Sequence, residues 1–216
     1  MGAKERRSRY RRLLEQLAVT ECLGGVHGGL VLDYGCGTGW FMEPLARRGF
    51  RVIGLEVERA WLREAQTTAD RWGCLRVLYG GGVLPLKGEC LDLVLAVGVI
   101  RSLMDRGPLQ QAVGEWWRCL RPEGRLLVVE TDNAALRRFL PMERIRDVLR
   151  LEGFSMVRWY PVRRTSWWGV WLVKAGLLPL FLYRQMAEWE LKSLREKDVE
   201  PKRKLAYLGE FTKAGS

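Results

Sequence analysis

The sequence predicts an α/β fold of the doubly wound kind, a mostly parallel sheet with helices on both faces. Three observations carry that expectation. Short apolar runs alternate with segments of helical periodicity, the order that builds parallel sheets. The first apolar run, Val31-Leu32-Asp33-Tyr34, passes directly into Gly35-Cys36-Gly37-Thr38-Gly39, with glycine at every second position. A second run, Arg51-Val52-Ile53-Gly54-Leu55-Glu56, ends in an acid. Glycine lacks a Cβ, so such a turn folds tightly and lets a ligand lie on the backbone. Strand, glycine loop and helix N-terminus form the nucleotide-binding corner of this fold, and a carboxylate closing the second strand can accept ribose hydroxyls.

The remaining elements follow in order. Residues 40–48 read as a helix closed by Gly49, and residues 57–72 as another, with Trp61, Leu62, Ala65 and Ala69 on one face. Residues 75–79 suit a third strand and residues 91–98 a buried fourth. Residues 109–120 suit a helix opened by Pro108. Arg121-Pro122-Glu123-Gly124-Arg125 then turns the chain into a fifth strand, Leu126-Leu127-Val128-Val129-Glu130. Residues 154–162 and 165–175 read as a β-hairpin, because Trp168, Val170 and Leu172 alternate with Trp167, Gly169 and Trp171. The same alternation weighs against a membrane-spanning helix over the apolar residues 167–183, a stretch short for that purpose. Residues 185–197 form a helix, and the charged chain beyond Glu196 is expected to fray. The basic residues 4–12 begin an amphipathic helix with Tyr10, Leu13, Leu14 and Leu17 on one face.

The Gly-x-Gly-x-Gly spacing, with Asp33 two residues ahead, differs from the Gly-x-Gly-x-x-Gly of dinucleotide sites. It resembles motif I of the class I S-adenosylmethionine (SAM) methyltransferases. Val83-Leu84-Pro85-Leu86 resembles that family's Leu-Pro-Phe element. RCLRPEGRLLVVE resembles the stretch before the fifth strand in the small-molecule branch, which includes the ubiquinone and menaquinone C-methylases. The resemblance covers residues 28–175. It implies a seven-stranded Rossmann-like sheet with an antiparallel last strand, built from residues 28–175. A basic N-terminal helix (1–27) would cap it, and residues 176–216 would form an amphipathic helix and charged tail. The cofactor implied is SAM, with S-adenosylhomocysteine as product. Its implied binding residues are Asp33, Tyr34, Gly35, Cys36, Gly37, Gly39, Glu56, Val57, Gly82, Val83, Leu84 and Val97, with Asp33 toward the ammonium and Glu56 toward the ribose. Two departures stand out. The third-strand loop, Tyr79-Gly80-Gly81-Gly82, lacks the acid that relatives use for adenine, leaving backbone amides and Leu84. Arg101-Ser102 stands where relatives often carry Glu-His, which places a cation near the acceptor and suggests an anionic one.

Methyl transfer from a sulfonium asks mainly for orientation and exclusion of water, with a base where an oxygen or carbon nucleophile must lose a proton. Acceptor-side candidates are Arg101, Ser102, Asp105, Glu130, Thr131 and Asp132, with Tyr10 and Trp40 lining a lid; no residue is singled out as the base. Net charge is +11, and Lys4, Arg6, Arg7, Arg9, Arg11 and Arg12 face only Glu5. No acid occurs in residues 153–187, and half of the ten tryptophans lie between Trp159 and Trp189. Such a surface suits an anionic lipid face, or an acceptor with an apolar tail and charged head. RNA, held by stacking and phosphate contacts, is a second reading, and packing on the chain's own domain or across a homodimer a third.

The expectation is a SAM-dependent methyltransferase acting by O- or C-methylation on a small molecule, apolar or lipid-linked. An RNA methyltransferase and a non-catalytic SAM-binding scaffold are the alternatives. Five cysteines without a Cys-x-x-Cys pair, and His27 as the one histidine, suggest neither a disulfide framework nor a bound metal. The basic N-terminus is not followed by the apolar run of a signal peptide, so the reading is a cytoplasmic chain with peripheral contact at the inner membrane face.

Overall fold

A computed structural model describes residues 2–106, 109–131, 142–164, 167–195 and 205–213 of the chain. Its elements in chain order are α1 (Ala3–Leu23), β1 (Gly29–Tyr34), α2 (Met42–Ala46), β2 (Phe50–Glu56), α3 (Arg59–Trp72), β3 (Arg76–Tyr79), β4 (Leu91–Val97), α4 (Ile100–Arg106), α5 (Leu109–Cys119), β5 (Leu120–Thr131), α6 (Met142–Leu151), β6 (Phe154–Arg164), α7 (Trp168–Ala175), α8 (Tyr183–Arg195) and β7 (Leu205–Lys213). The seven strands form one sheet in the order β3-β2-β1-β4-β5-β7-β6. Strands β1 to β5 pair parallel, and β7 runs antiparallel between β5 and β6.

Alternation along the strands divides the core in two. Val31, Val52, Leu93, Leu95, Leu127 and Val129 face one side with α1, α2, α3, α7 and α8. Leu32, Ile53, Val94, Ala96, Leu126 and Val128 face the other with α4, α5 and α6. A strand buried on both faces is apolar along its buried length, which is why β4 reads as an unbroken run from Leu93 to Val97. Helix α3 starts two residues later than its periodicity suggests. Glu58 is extended at φ -91, ψ 108, where it and Val57 turn their amides to Glu56 Oε1, each at 2.8 Å.

The seventh strand is not where the sequence pattern put it. Residues 168–175, expected as a strand, form helix α7, with Gly169, Val170 and Val173 turned inward at helical spacing and Gly176 closing it at φ +76. The position beside β5 is taken by β7, from the tail expected to fray. Its Gly209 packs beneath the Trp159 ring, and its buried Glu210 is held by Arg125 at 2.5 Å and Arg158 at 2.9 Å. Chain from beyond residue 175 therefore completes the sheet. Among the described residues no helix is long and apolar enough to cross a membrane.

Candidate active site

Parallel pairing brings the C-terminal ends of β1, β2, β4 and β5 to one edge, and a cleft of about 1330 Å³ opens there. The cleft is larger than the roughly 300–1,000 Å³ usual for a single-ligand pocket. The glycine loop forms its floor. Gly35 N–H and Cys36 N–H both donate to the Leu55 carbonyl, at 2.8 and 2.9 Å, bending the chain across the end of β2. At Gly35 a Cβ would lie 2.2 Å from Val99 Cγ1, so no side chain fits. Gly37 differs: its φ is +56, nothing lies within 4 Å of where a Cβ would be, and it faces the open cleft. A ligand can lie directly against that backbone. Gly39 is wedged against Met42 and Thr68 and shapes the loop from behind.

Two acids close this end of the cleft. Glu56 is buried, with Oε2 accepting from Gly37 N–H at 2.8 Å and Oε1 accepting from the amides of Val57 and Glu58. Asp33 is 2% exposed, and its Oδ2 has no hydrogen-bond partner among the described residues. Burial, reinforced by the charge of Glu56, pushes its carboxyl up to about 7. A buried acceptor without a donor is costly unless a ligand supplies one. The ammonium of SAM is the kind of cationic donor that would satisfy it, so the residues present fit that cofactor.

The opposite end holds a cluster that the sequence pattern did not isolate. Glu15 of α1, Glu130 at the end of β5 and Arg163 of β6 all line the cleft. Arg163 Nη2 donates to Thr131 Oγ1 at 2.8 Å and lies 3.6 Å from Glu15 Oε1, while its Nε has no partner among the described residues. Burial raises both carboxyl pKa values. Arg163, Arg11 and Arg12 pull Glu15 back, and the amides of Thr131, Arg101 and Ile100 pull Glu130 back, while the charge of Glu15 pushes Glu130 up. Carboxylates tuned in this way are candidate proton acceptors. Glu15 hides in sequence as one acid in a basic helix. Its only signal is the helical spacing that sets it four residues beyond Arg11.

The other expected residues fall into place as follows. Tyr34, Cys36, Val57, Gly82 and Val97 line the cleft, as do Arg101 and Ser102 at its mouth. Arg101 lies 3.8 Å from Asp105. Burial and the neighbouring acids push the Cys36 thiol far up. Trp40 covers the cleft, clamped to α1 by Arg12 stacking 3.5 Å from its ring centroid and by Gln16 donating to its carbonyl. Tyr10 does not line the lid. It sits on the inward face of α1, its hydroxyl donating to Glu190 at 2.9 Å, whereas Arg7, Ser8, Arg11, Arg12 and Glu15 present the cleft-facing side. Leu84 is core, with its N–H held by Glu115 at 2.6 Å, and Val83 points to solvent, so neither forms the cleft wall. Asp132 lies outside the described residues. Among the described residues no three His, Cys, Asp or Glu side chains gather as a metal site would require.

Residues 32–128 match the protein family described as Methyltransferase domain. The Ubiquinone biosynthesis O-methyltransferase of Azorhizobium caulinodans is 34% identical over 151 residues, which are 68% of this chain and 54% of that protein. The Demethylmenaquinone methyltransferase of Tropheryma whipplei is 31% identical over 123 residues, covering 57% of this chain and 49% of that protein. The chain thus spans about half the length of the curated relatives it matches. In fold, it is similar to a SAM dependent methyltransferase from Aquifex aeolicus, with a TM-score of 0.66 over 96% of this chain and 98% of the other, at 14% identity.

Proposed function

The chain belongs to the class I S-adenosylmethionine-dependent methyltransferases, and from that premise we propose that it methylates an oxygen or carbon of a quinone-type small molecule. One observation carries the reading: a cation-seeking end, Gly37 with Asp33 and Glu56, and a proton-accepting end, Glu130 with Glu15 and Arg163, face each other across a single cleft. The names of the two curated relatives point to the same class of acceptor.

Asp33 and Glu56 would hold the amino-acid end and ribose of SAM, with the Gly37 backbone against them. Bound SAM supplies a methyl group already activated on a sulfonium. The protein's task is to aim the acceptor, remove its proton and exclude water. Glu130 would take the proton from the acceptor hydroxyl or ring carbon. Arg163, fixed between Thr131 and Glu15, places positive charge where the acceptor becomes negative. Trp40 and α1 cover the cleft.

The test is calorimetric titration with SAM and S-adenosylhomocysteine, followed by turnover of a short-chain, water-soluble demethylated quinol. Binding in the micromolar range, lost in Gly37→Val, together with a methylated quinol is the expected result. Cofactor binding without methylation of any quinol would overturn the acceptor class. Absence of cofactor binding would overturn the enzyme reading altogether.

A further inference from the structure

Helix α7, the turn at Leu180–Leu182 and the start of α8 form a small helical hairpin on the α1 side of the sheet. Its inner face is ordinary core: Val170, Val173, Tyr183 and Ala187 are buried. Its outer face is not. Trp168, Trp171, Leu177 and Phe181 are 62%, 61%, 63% and 75% exposed, an unusual concentration of large apolar side chains in water. The indoles are held in place rather than loose, with Trp167 stacked on Trp189 at 5.5 Å and packed edge-on against Trp168 at 4.9 Å.

The charge around this face is mostly positive. Lys174 and Arg184 belong to the hairpin, and residues 153–187 contain no Asp or Glu. Glu188 is engaged with Arg184 at 2.8 Å. Arg6 of α1 donates to the Val173 and Lys174 carbonyls at 3.1 and 2.6 Å, which joins the hairpin to the basic end of α1, where Arg9 is exposed.

We propose that this hairpin and the basic end of α1 form a docking surface for an anionic lipid bilayer. Indole and phenyl rings settle at the boundary between headgroups and acyl chains, while lysine and arginine meet the phosphates. Leu177, Leu180 and Phe181 at the tip favour a bilayer over single-stranded RNA, because leucines offer bases nothing to stack on. Charge favours it over a second copy of the chain, because a two-fold contact through this face would set cations against cations. The opposite side of the same α1 segment carries Arg7, Arg11 and Arg12 into the cleft. A bilayer seated here therefore lies beside the mouth through which an acceptor with an apolar tail would enter. That delivery role rests on the methyltransferase reading, whereas the lipid contact does not.

The experiment is flotation of the full chain with vesicles of phosphatidylcholine alone and of about three parts phosphatidylcholine to one part phosphatidylglycerol. The expected result is binding to the anionic vesicles that weakens with salt, with tryptophan emission quenched by brominated acyl chains. Binding should fall roughly tenfold in the Trp171→Ser/Phe181→Ser double variant and in Lys174→Glu, with affinity for SAM unchanged in both. Lys174→Glu alters charge at an exposed position and keeps the test valid should the double variant fold poorly. Failure to float with anionic vesicles overturns the proposal, as does undiminished flotation of Lys174→Glu. So does a dimer that the double variant dissolves, or binding of a uridine oligonucleotide in place of vesicles.

Discussion

Asp33 is the residue at which folding and binding oppose each other. Its carboxyl titrates near 7 in the folded chain, against 3.8 for an unperturbed aspartate. The folded state therefore keeps a proton that the unfolded state loses, and this stabilising contribution is present at low pH and disappears as pH rises through about 7. Asp33→Asn should melt several degrees higher than the parent at about pH 8 and little differently near pH 4, with both compared by thermal melts of the free protein. The same substitution should weaken SAM binding by about tenfold or more above pH 7, because the neutral amide cannot pair with a cation. In the parent, SAM affinity should rise with pH through that range. Across the cleft, Glu130→Gln should lower kcat about a hundredfold while sparing SAM affinity. Glu15→Gln should act differently. Removing its negative charge lowers the pKa of Glu130, so the acidic limb of the rate profile should move to lower pH. A fall in rate with no change in the profile would mean that Glu15 is purely structural.

At the scale of elements, two segments traded places relative to expectation. The alternation of Trp168, Val170 and Leu172 satisfies a strand pattern, yet the segment is a helix. Short apolar runs fit both periods, and tertiary neighbours settle which one forms. The segment Leu205–Lys213 looks weak as a strand, with Gly209, Glu210 and Thr212 close together, and it follows a run of charge. In the sheet the glycine and the glutamate each have a reason. Gly209 leaves room for the Trp159 ring, which a Cβ would approach to 2.3 Å, and Glu210 is matched by two arginines that lie far away in sequence. Gly209→Val should therefore lower the urea midpoint markedly, a loss of about 1–3 kcal/mol from overpacking. An unchanged midpoint would mean that this segment does not lie between β5 and β6.

For the whole molecule, the decisive feature is how α1 lies across the site. One helix presents Tyr10, Leu14 and Ala18 to the core and Arg11, Arg12 and Glu15 to the cleft, while Arg6 ties it to the exposed aromatic hairpin. The cofactor end of the site was legible in the sequence because all its parts are local: the glycine loop and Asp33 lie within seven residues of one another, and Glu56 closes the next strand. The parallel half of the sheet was legible for the same reason, since each strand–helix unit announces itself through its own periodicity. Of the acceptor-end cluster only Glu130 and Thr131 were legible, as polar residues closing a strand. Glu15, Glu130 and Arg163 come from three elements more than a hundred residues apart at their extremes, and nothing in the chain marks them as neighbours. The sequence by itself determined the fold class, the family and the glycine-loop corner, because short-range patterning and backbone conformation dictate them. Only the tertiary structure decided which segment fills the gap beside β5, which face of α1 meets the cleft and which carboxylates sit with Arg163. Those outcomes depend on long-range packing and on pairing buried charge, and both become defined only when distant segments meet.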